Sequence, residues 1–212
     1  ISLGNLGLLH YEQGRMAEAL THFEQALAIA REVGNRRGEG LVLGNLGNLY
    51  RLLGRIAEAL THFEQALAIA REVGERRGEG VVLGNLGALL YDNGDLSAAE
   101  QHLQQAIEIG DEVFPADAGC FRSILAQIRA ENGALDQARE LLERGDSQLR
   151  GVDALELAKL LCRRARVEQL AGDAAAASAA LAEAETMAAE LEAGPDSDLG
   201  QELIKARTAL AD

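Results

Sequence analysis

The 212-residue chain is 48% hydrophobic and 25% charged, which supplies enough apolar surface for a sizeable core and excludes a disordered tail. It has no Trp, only 2 Pro and 3% aromatic residues, and Ala, Leu and Glu outnumber the strand formers, so an all-α fold is expected over a sheet-rich one. Its net charge of −14 is concentrated after residue 80, where 11 basic side chains face 24 acids, a field that repels phosphate backbones and anionic lipid and argues against nucleic acid or membrane as partners.

In chain order, the first element is a 40-residue repeat. Residues 1–40 and 41–80 agree at 31 of 40 positions, and a third copy spans 81–120. A fourth spans 121–156 and a weaker fifth 157–194. Within repeat two, Leu43, Leu46, Leu49 and Tyr50 fall on one helical stripe, and Ala59, Leu60, Phe63, Ala66, Leu67 and Ile69 on another. Between them lies Gly54, and glycine recurs there as Gly14, Gly94, Gly133 and Gly172, where a left-handed backbone ends one helix and lets the next fold back. Each repeat therefore reads as an antiparallel helix pair. Gly34 and Gly74 end the second helices, and new first helices start near Arg36 and Arg76. Residues 190–200 read as a loop, and 199–211, centred on Leu203, Ile204, Ala206 and Leu210, as an amphipathic capping helix. The whole reads as one solenoid domain over 1–212.

Ile1 opens inside the repeat pattern with neither an initiator Met nor a signal peptide, which predicts a piece of a longer protein. No run reaches the ~20 apolar residues that span a bilayer. Cys120 and Cys162 lie in apolar helical patterns outside any CxxC or His-flanked arrangement, so reduced, buried thiols and a cytoplasmic setting are expected.

The run Leu46-Gly47, Tyr50, Gly54, Ala59, Phe63, Ala66 resembles the tetratricopeptide repeat signature. The resemblance is close in repeats one to three, continues in repeat four as Leu125-Ala126, Gly133, Ala138, Leu142 and Gly145, and persists in repeat five as Ala165, Gly172, Ala177, Leu181 and Ala184. The 40-residue length is similar to that of the Partner-of-Inscuteable proteins and of many bacterial signalling proteins. That resemblance implies a right-handed superhelical solenoid with a concave, peptide-binding groove.

If the family's groove positions carry over, Asn5 and Tyr11 in repeat one, Asn45, Asn48 and Arg51 in repeat two, Asn85 and Tyr91 in repeat three and Gln127 in repeat four line it. Asn5, Asn45 and Asn85 recur every 40 residues, and an amide offers donors and an acceptor to a peptide backbone. Repetition alone would equally leave these amides solvated. Gly4, Gly44 and Gly84 beside them would let a ligand backbone come close. In repeat five, Lys159, Arg163 and Arg166 share a helical face that the family's register turns into the groove. They would receive an acidic segment, or else pair with Glu168, Glu156 or the acids of repeat four. The carboxylate clamp of one tetratricopeptide subfamily requires cations where this chain has Gly44, Cys120 and Ile124, so a clamped peptide tail is not expected.

No catalytic or cofactor motif is present: there is no GxxxxGK[ST] loop, GxSxG elbow or HExxH helix. His22, His62 and His102 repeat at a helix-packing distance of about 10 Å, too far apart for one metal, and read as surface or inter-repeat residues. The expected function is a non-catalytic scaffold that holds a protein or peptide partner, without cofactor. Two alternatives stand beside it. One is homotypic assembly through the N-terminal repeat, whose Leu3, Leu6 and Leu9 would lack a covering hairpin; the other is a sensor region of a signalling kinase or cyclase.

Overall fold

A computed structural model describes residues 2–211. Among them are eleven α-helices and no strand: α1 (Leu3–Glu12), α2 (Met16–Glu32), α3 (Arg36–Leu52), α4 (Ile56–Glu72), α5 (Arg76–Asp92), α6 (Leu96–Val113), α7 (Pro115–Glu131), α8 (Leu135–Leu149), α9 (Ala154–Leu170), α10 (Ala174–Glu190) and α11 (Asp198–Ala211). This is an all-α helical repeat fold. The hairpin glycines Gly14, Gly54, Gly94, Gly133 and Gly172 all take left-handed φ values between 68° and 84°. At Gly54 the turn is closed twice, because the Gly54 N–H donates to the Arg51 carbonyl at 3.0 Å and the Arg55 N–H to the Tyr50 carbonyl at 2.9 Å. Helix starts are capped by side chains: Asn35 accepts from the Gly38 N–H, Asp153 from Glu156 and Asp173 from Ala176. Each such cap contributes about 1 kcal/mol.

The helices gather into two compact units, the first running to Ile109 and the second starting at Gly110. In the first, each hairpin closes on a pairing of small against large. A methyl group added at Gly47 of α3 would lie 2.5 Å from the Phe63 ring of α4, and one at Gly7 would lie 2.7 Å from Phe23. Gly87 meets Leu103 in the same way. Phe23 and Phe63 are completely buried, so the rings lie against the first-helix backbone with nowhere to swing. Leu43, Leu46, Leu49, Leu83, Leu86 and Leu89 fill the spaces between hairpins and are all less than 5% exposed. Ion pairs support both kinds of contact, with Arg36 of α3 donating to Glu72 of α4 at 2.6 Å within a hairpin and Arg31 of α2 donating to Glu39 of α3 at 2.9 Å between hairpins.

In the second unit the packing is similar but the residues differ. Ala126 and Leu142 replace the glycine and ring of the earlier hairpins, and α7 crosses α8 where Gly119 and Gly145 bring backbones together. Counted from the hairpin glycine, Arg122 occupies the position that holds Leu43 and Leu83 in earlier repeats. It is 2% exposed and forks onto Asp111 at 2.9 Å, which holds that carboxyl below the usual range.

The last helix begins at Asp198, one residue before the expected 199 and inside the stretch that reads as loop. The Ser197 hydroxyl accepts from the Gly200 N–H at 3.1 Å and so starts the first turn early. The helix packs mainly on α9, burying Leu199, Leu203 and Ala206. Its acids do the rest: Lys159 donates to Asp198 at 2.9 Å, while Glu202, only 4% exposed, lies 3.4 Å from Arg166 and 3.5 Å from Arg163. Burial would raise the Glu202 carboxyl, but Arg163, Lys205 and Arg166 together outweigh it and hold the group down at about 2.

Gly47→Ala should lower the melting temperature, at about 1–3 kcal/mol for overpacking, whereas Gly44→Ala, whose methyl would meet only Val82 at 4.0 Å, should be neutral or stabilising. Equal melting of the two variants would contradict the crossing. Because the Glu202 pKa is depressed on folding, its stabilisation is complete above the ordinary value of 4.5 and lost as pH falls toward about 2. Far-UV melts carried from neutral pH down through this window should show that loss. Glu202→Gln should remove this pH dependence and cost up to about 3–5 kcal/mol at neutral pH, since the largely buried Arg163 and Arg166 lose the carboxylate they share.

Candidate functional site

The residues expected to line a groove fall into two sets, one in each unit. In the first unit the first helices lie side by side, α3 touching both α1 and α5. Helical spacing places Asn5, Asn45 and Asn85 at equivalent points on them. Asn5 is exposed, and Asn45, Asn48 and Asn85 are half-buried. None of these amide side chains forms a hydrogen bond among the described residues. A half-buried amide without a partner has already lost part of its hydration, so a donor or acceptor brought to it gains a bond at reduced desolvation cost. Beside them, Gly4 has open space where a side chain would stand and Gly44 nearly so, while Gly84 is buried within α5.

Arg51 is placed differently from expectation. Its Nη1 donates to Asp92 at 2.6 Å, and its side chain is 12% exposed. The guanidinium therefore ties repeat two to repeat three and does not stand open to a ligand. Tyr11 and Tyr91 are half-buried, Tyr11 against the core of the unit.

In the second unit the basic strip meets acids of its own chain. Lys159 is 8% exposed between Glu156 and Asp198, and Arg163 is 9% exposed, donating to the Ser123 hydroxyl at 2.9 Å and facing Glu202. Arg166 lies between Glu202 and Glu131. Gln127, 2% exposed, donates to Glu131 at 2.9 Å while its Oε1 is buried without a donor. Of the acids expected to pair with the strip, Glu156 and Glu131 do, whereas Glu168 takes Arg139. Asp198 and Glu202 are the partners that sequence reasoning missed. Their signal was present: the bases Lys159 and Arg163 are four residues apart, and so are Asp198 and Glu202, which matches one helix face to another.

His22 and His62 turn into their own hairpins, whereas His102 of α6 lies near Arg71 of the preceding pair, between repeats as expected. The Tyr50 and His62 rings are 5.0 Å apart and those of His10 and His22 are stacked at 5.1 Å, so each ring packs on the first helix of its own pair. Cys120 and Cys162 are free thiols, with burial pushing Cys120 up and Cys162 to about 12, so neither is a ready thiolate. Among the described residues, no group of three or more His, Cys, Asp or Glu is placed to hold a metal ion, and no helix is long and apolar enough to cross a membrane.

The chain is similar in fold to several solved structures. BtubC (BKLC) from P. vanneervenii shares 20% identity at a TM-score of 0.65, over 89% of this chain and 79% of that one. A Rap protein complexed with Competence and Sporulation Factor shares 22% at 0.74, over 99% of this chain and 64% of that one. A thermophilic TPR protein of Thermus thermophilus shares 22% at 0.67, over 99% of this chain and 98% of that one. No curated protein sequence matches significantly. The family model described as MalT-like TPR region matches residues 1–208, and with the glycine-closed hairpins and small-on-large crossings this places the chain in that tetratricopeptide family.

Proposed function

We propose that this chain is a non-catalytic interaction module that holds an extended peptide of a protein partner along the first-helix face of α1, α3 and α5. One observation carries the reading. Asn45, Asn48 and Asn85 are half-buried amides, unpartnered among the described residues, on neighbouring helices, and an amide pairs with a peptide's N–H and C=O whatever the side chains are. The Rap protein of similar fold, solved with Competence and Sporulation Factor, is consistent with a fold able to hold a second molecule. The excess acid of the chain, concentrated after residue 80, disfavours nucleic acid and anionic membrane as partners.

A second reading, self-association through the first hairpin, rests on a different observation. Leu3 and Leu6 are half-buried and Leu9 is 44% exposed, whereas the equivalent Leu43, Leu46 and Leu49 are at most 1% exposed. The same apolar stripe that buries against a neighbour in repeat two is open on α1, and a second copy would cover it.

Peptides selected on the chain from a random display library should bind Asn45→Ala/Asn85→Ala more weakly by about 1–3 kcal/mol per lost buried hydrogen bond, with melting unchanged. Unaltered affinity would remove the amides from the site. Light scattering over a wide concentration range should show mass rising with concentration, and Leu9→Lys should suppress the rise. A constant monomer mass would eliminate the second reading.

A further inference from the structure

In the second unit a cavity of about 590 Å³ opens between α8 and α10 with α9 as its floor, lined by none of the first-unit amides. Its size falls within the roughly 300–1,000 Å³ of small-molecule sites. The sequence explains why it is open here. Counting from the hairpin glycine, the positions of Ala176, Ala179 and Ala180 hold Glu18, Thr21 and His22 in repeat one and Glu58, Thr61 and His62 in repeat two. Repeat three has Ala98, Gln101 and His102, and repeat four Gln137, Glu140 and Leu141. Only repeat five has alanine at all three, so the wall that longer side chains would fill is missing. Leu142 and Leu161, each 1% exposed, lie beneath it.

The rim carries two cations, Arg139 and Arg164, and four acids, Glu143, Glu168, Asp173 and Glu183. Both cations there are already held, since Arg139 donates to Glu168 at 3.1 Å and Arg164 donates to the Leu142 carbonyl at 3.2 Å and pairs with Asp146. Of the remaining rim acids, Glu183 takes Arg150 from outside the cavity and Asp173 caps α10. Glu143 has no hydrogen bond or ion pair among the described residues. An occupant that fits would lay an apolar body along the alanines above Leu142 and Leu161 and bring a positive charge to Glu143, exposed at the rim.

We infer that the α8–α10 cavity is a binding site for a small organic ammonium ion, its apolar body between the helices and its cation at Glu143. The body gains burial that water in the cavity does not, and a carboxylate without a counter-ion offers the charge-assisted hydrogen bond.

Hexylammonium, hexanoate and hexanol are suitable probes, titrated into the full chain with the methyl NMR signals of Leu142, Leu161, Ala176 and Ala180 as readout. Hexylammonium should produce saturable shifts at those methyls and hexanoate none. Ala179→Thr/Ala180→His, which restores the side chains of repeats one and two, and Glu143→Gln, on an exposed surface, should each weaken binding by about tenfold or more. If the double variant fails to fold by circular dichroism, Glu143→Gln decides alone. The inference is overturned if the probe does not saturate, if its shifts lie elsewhere, if hexanoate or hexanol binds equally, or if a folded variant binds as before.

Discussion

The contact on which each hairpin depends is the one between a small residue on its first helix and a large one on its second. Gly47 under Phe63 lets a ring lie on backbone, so the helix axes approach closely and the leucines on either side reach the neighbouring pair. Neither partner suffices alone, because glycine in a helix interior costs about 1 kcal/mol against alanine and is offset here only by the buried ring. Repeats four and five have Ala126 and Ala165 at the glycine position and Leu142 and Leu181 at that of the ring. That replacement is why their signature is weaker while their packing is not: in repeat four a buried alanine and leucine fill the space that glycine and phenylalanine fill elsewhere.

With packing set by apolar residues, the polar ones are left to differ between units, and they do so in opposite ways. In the first, the amides Asn45, Asn48 and Asn85 make no side-chain hydrogen bond among the described residues, while Arg51 is drawn into a pair with Asp92. In the second, the positions equivalent to Asn45 and Asn48 carry Arg163 and Arg166, and both face Glu202 of α11. Buried cations must find counter-ions, because desolvation costs several kcal/mol per charge. A buried basic strip in an acidic chain is for that reason stronger evidence of an internal partner than of an external ligand.

The helices and their turns are legible in the sequence because their causes are local. Gly54 and its equivalents need no knowledge of the fold to be read as turns, since left-handed φ is sterically open to glycine. The first turn of α11 hides in a stretch that reads as loop, because its cap, Ser197, follows Gly194 and Pro195. His22 and His62 escape sequence reasoning for a different reason. A 40-residue recurrence says that positions are equivalent, not which neighbour a ring faces, and the ring of His62 turns toward Tyr50 of its own hairpin.

The amino-acid order by itself determined the class of the fold, the number and ends of most helices and the small-on-large signature, because periodicity, propensity and turn sterics act within a few residues of the chain. Only the tertiary structure decided which charges meet which, that Glu202 neutralises the strip on α9, that the Asn45, Asn48 and Asn85 amides stay unpaired among the described residues, and that three alanines of α10 open a cavity against α8. Those outcomes depend on distances between residues tens of positions apart, and a Coulomb or packing energy is set by that separation in space, which spacing along a chain does not contain.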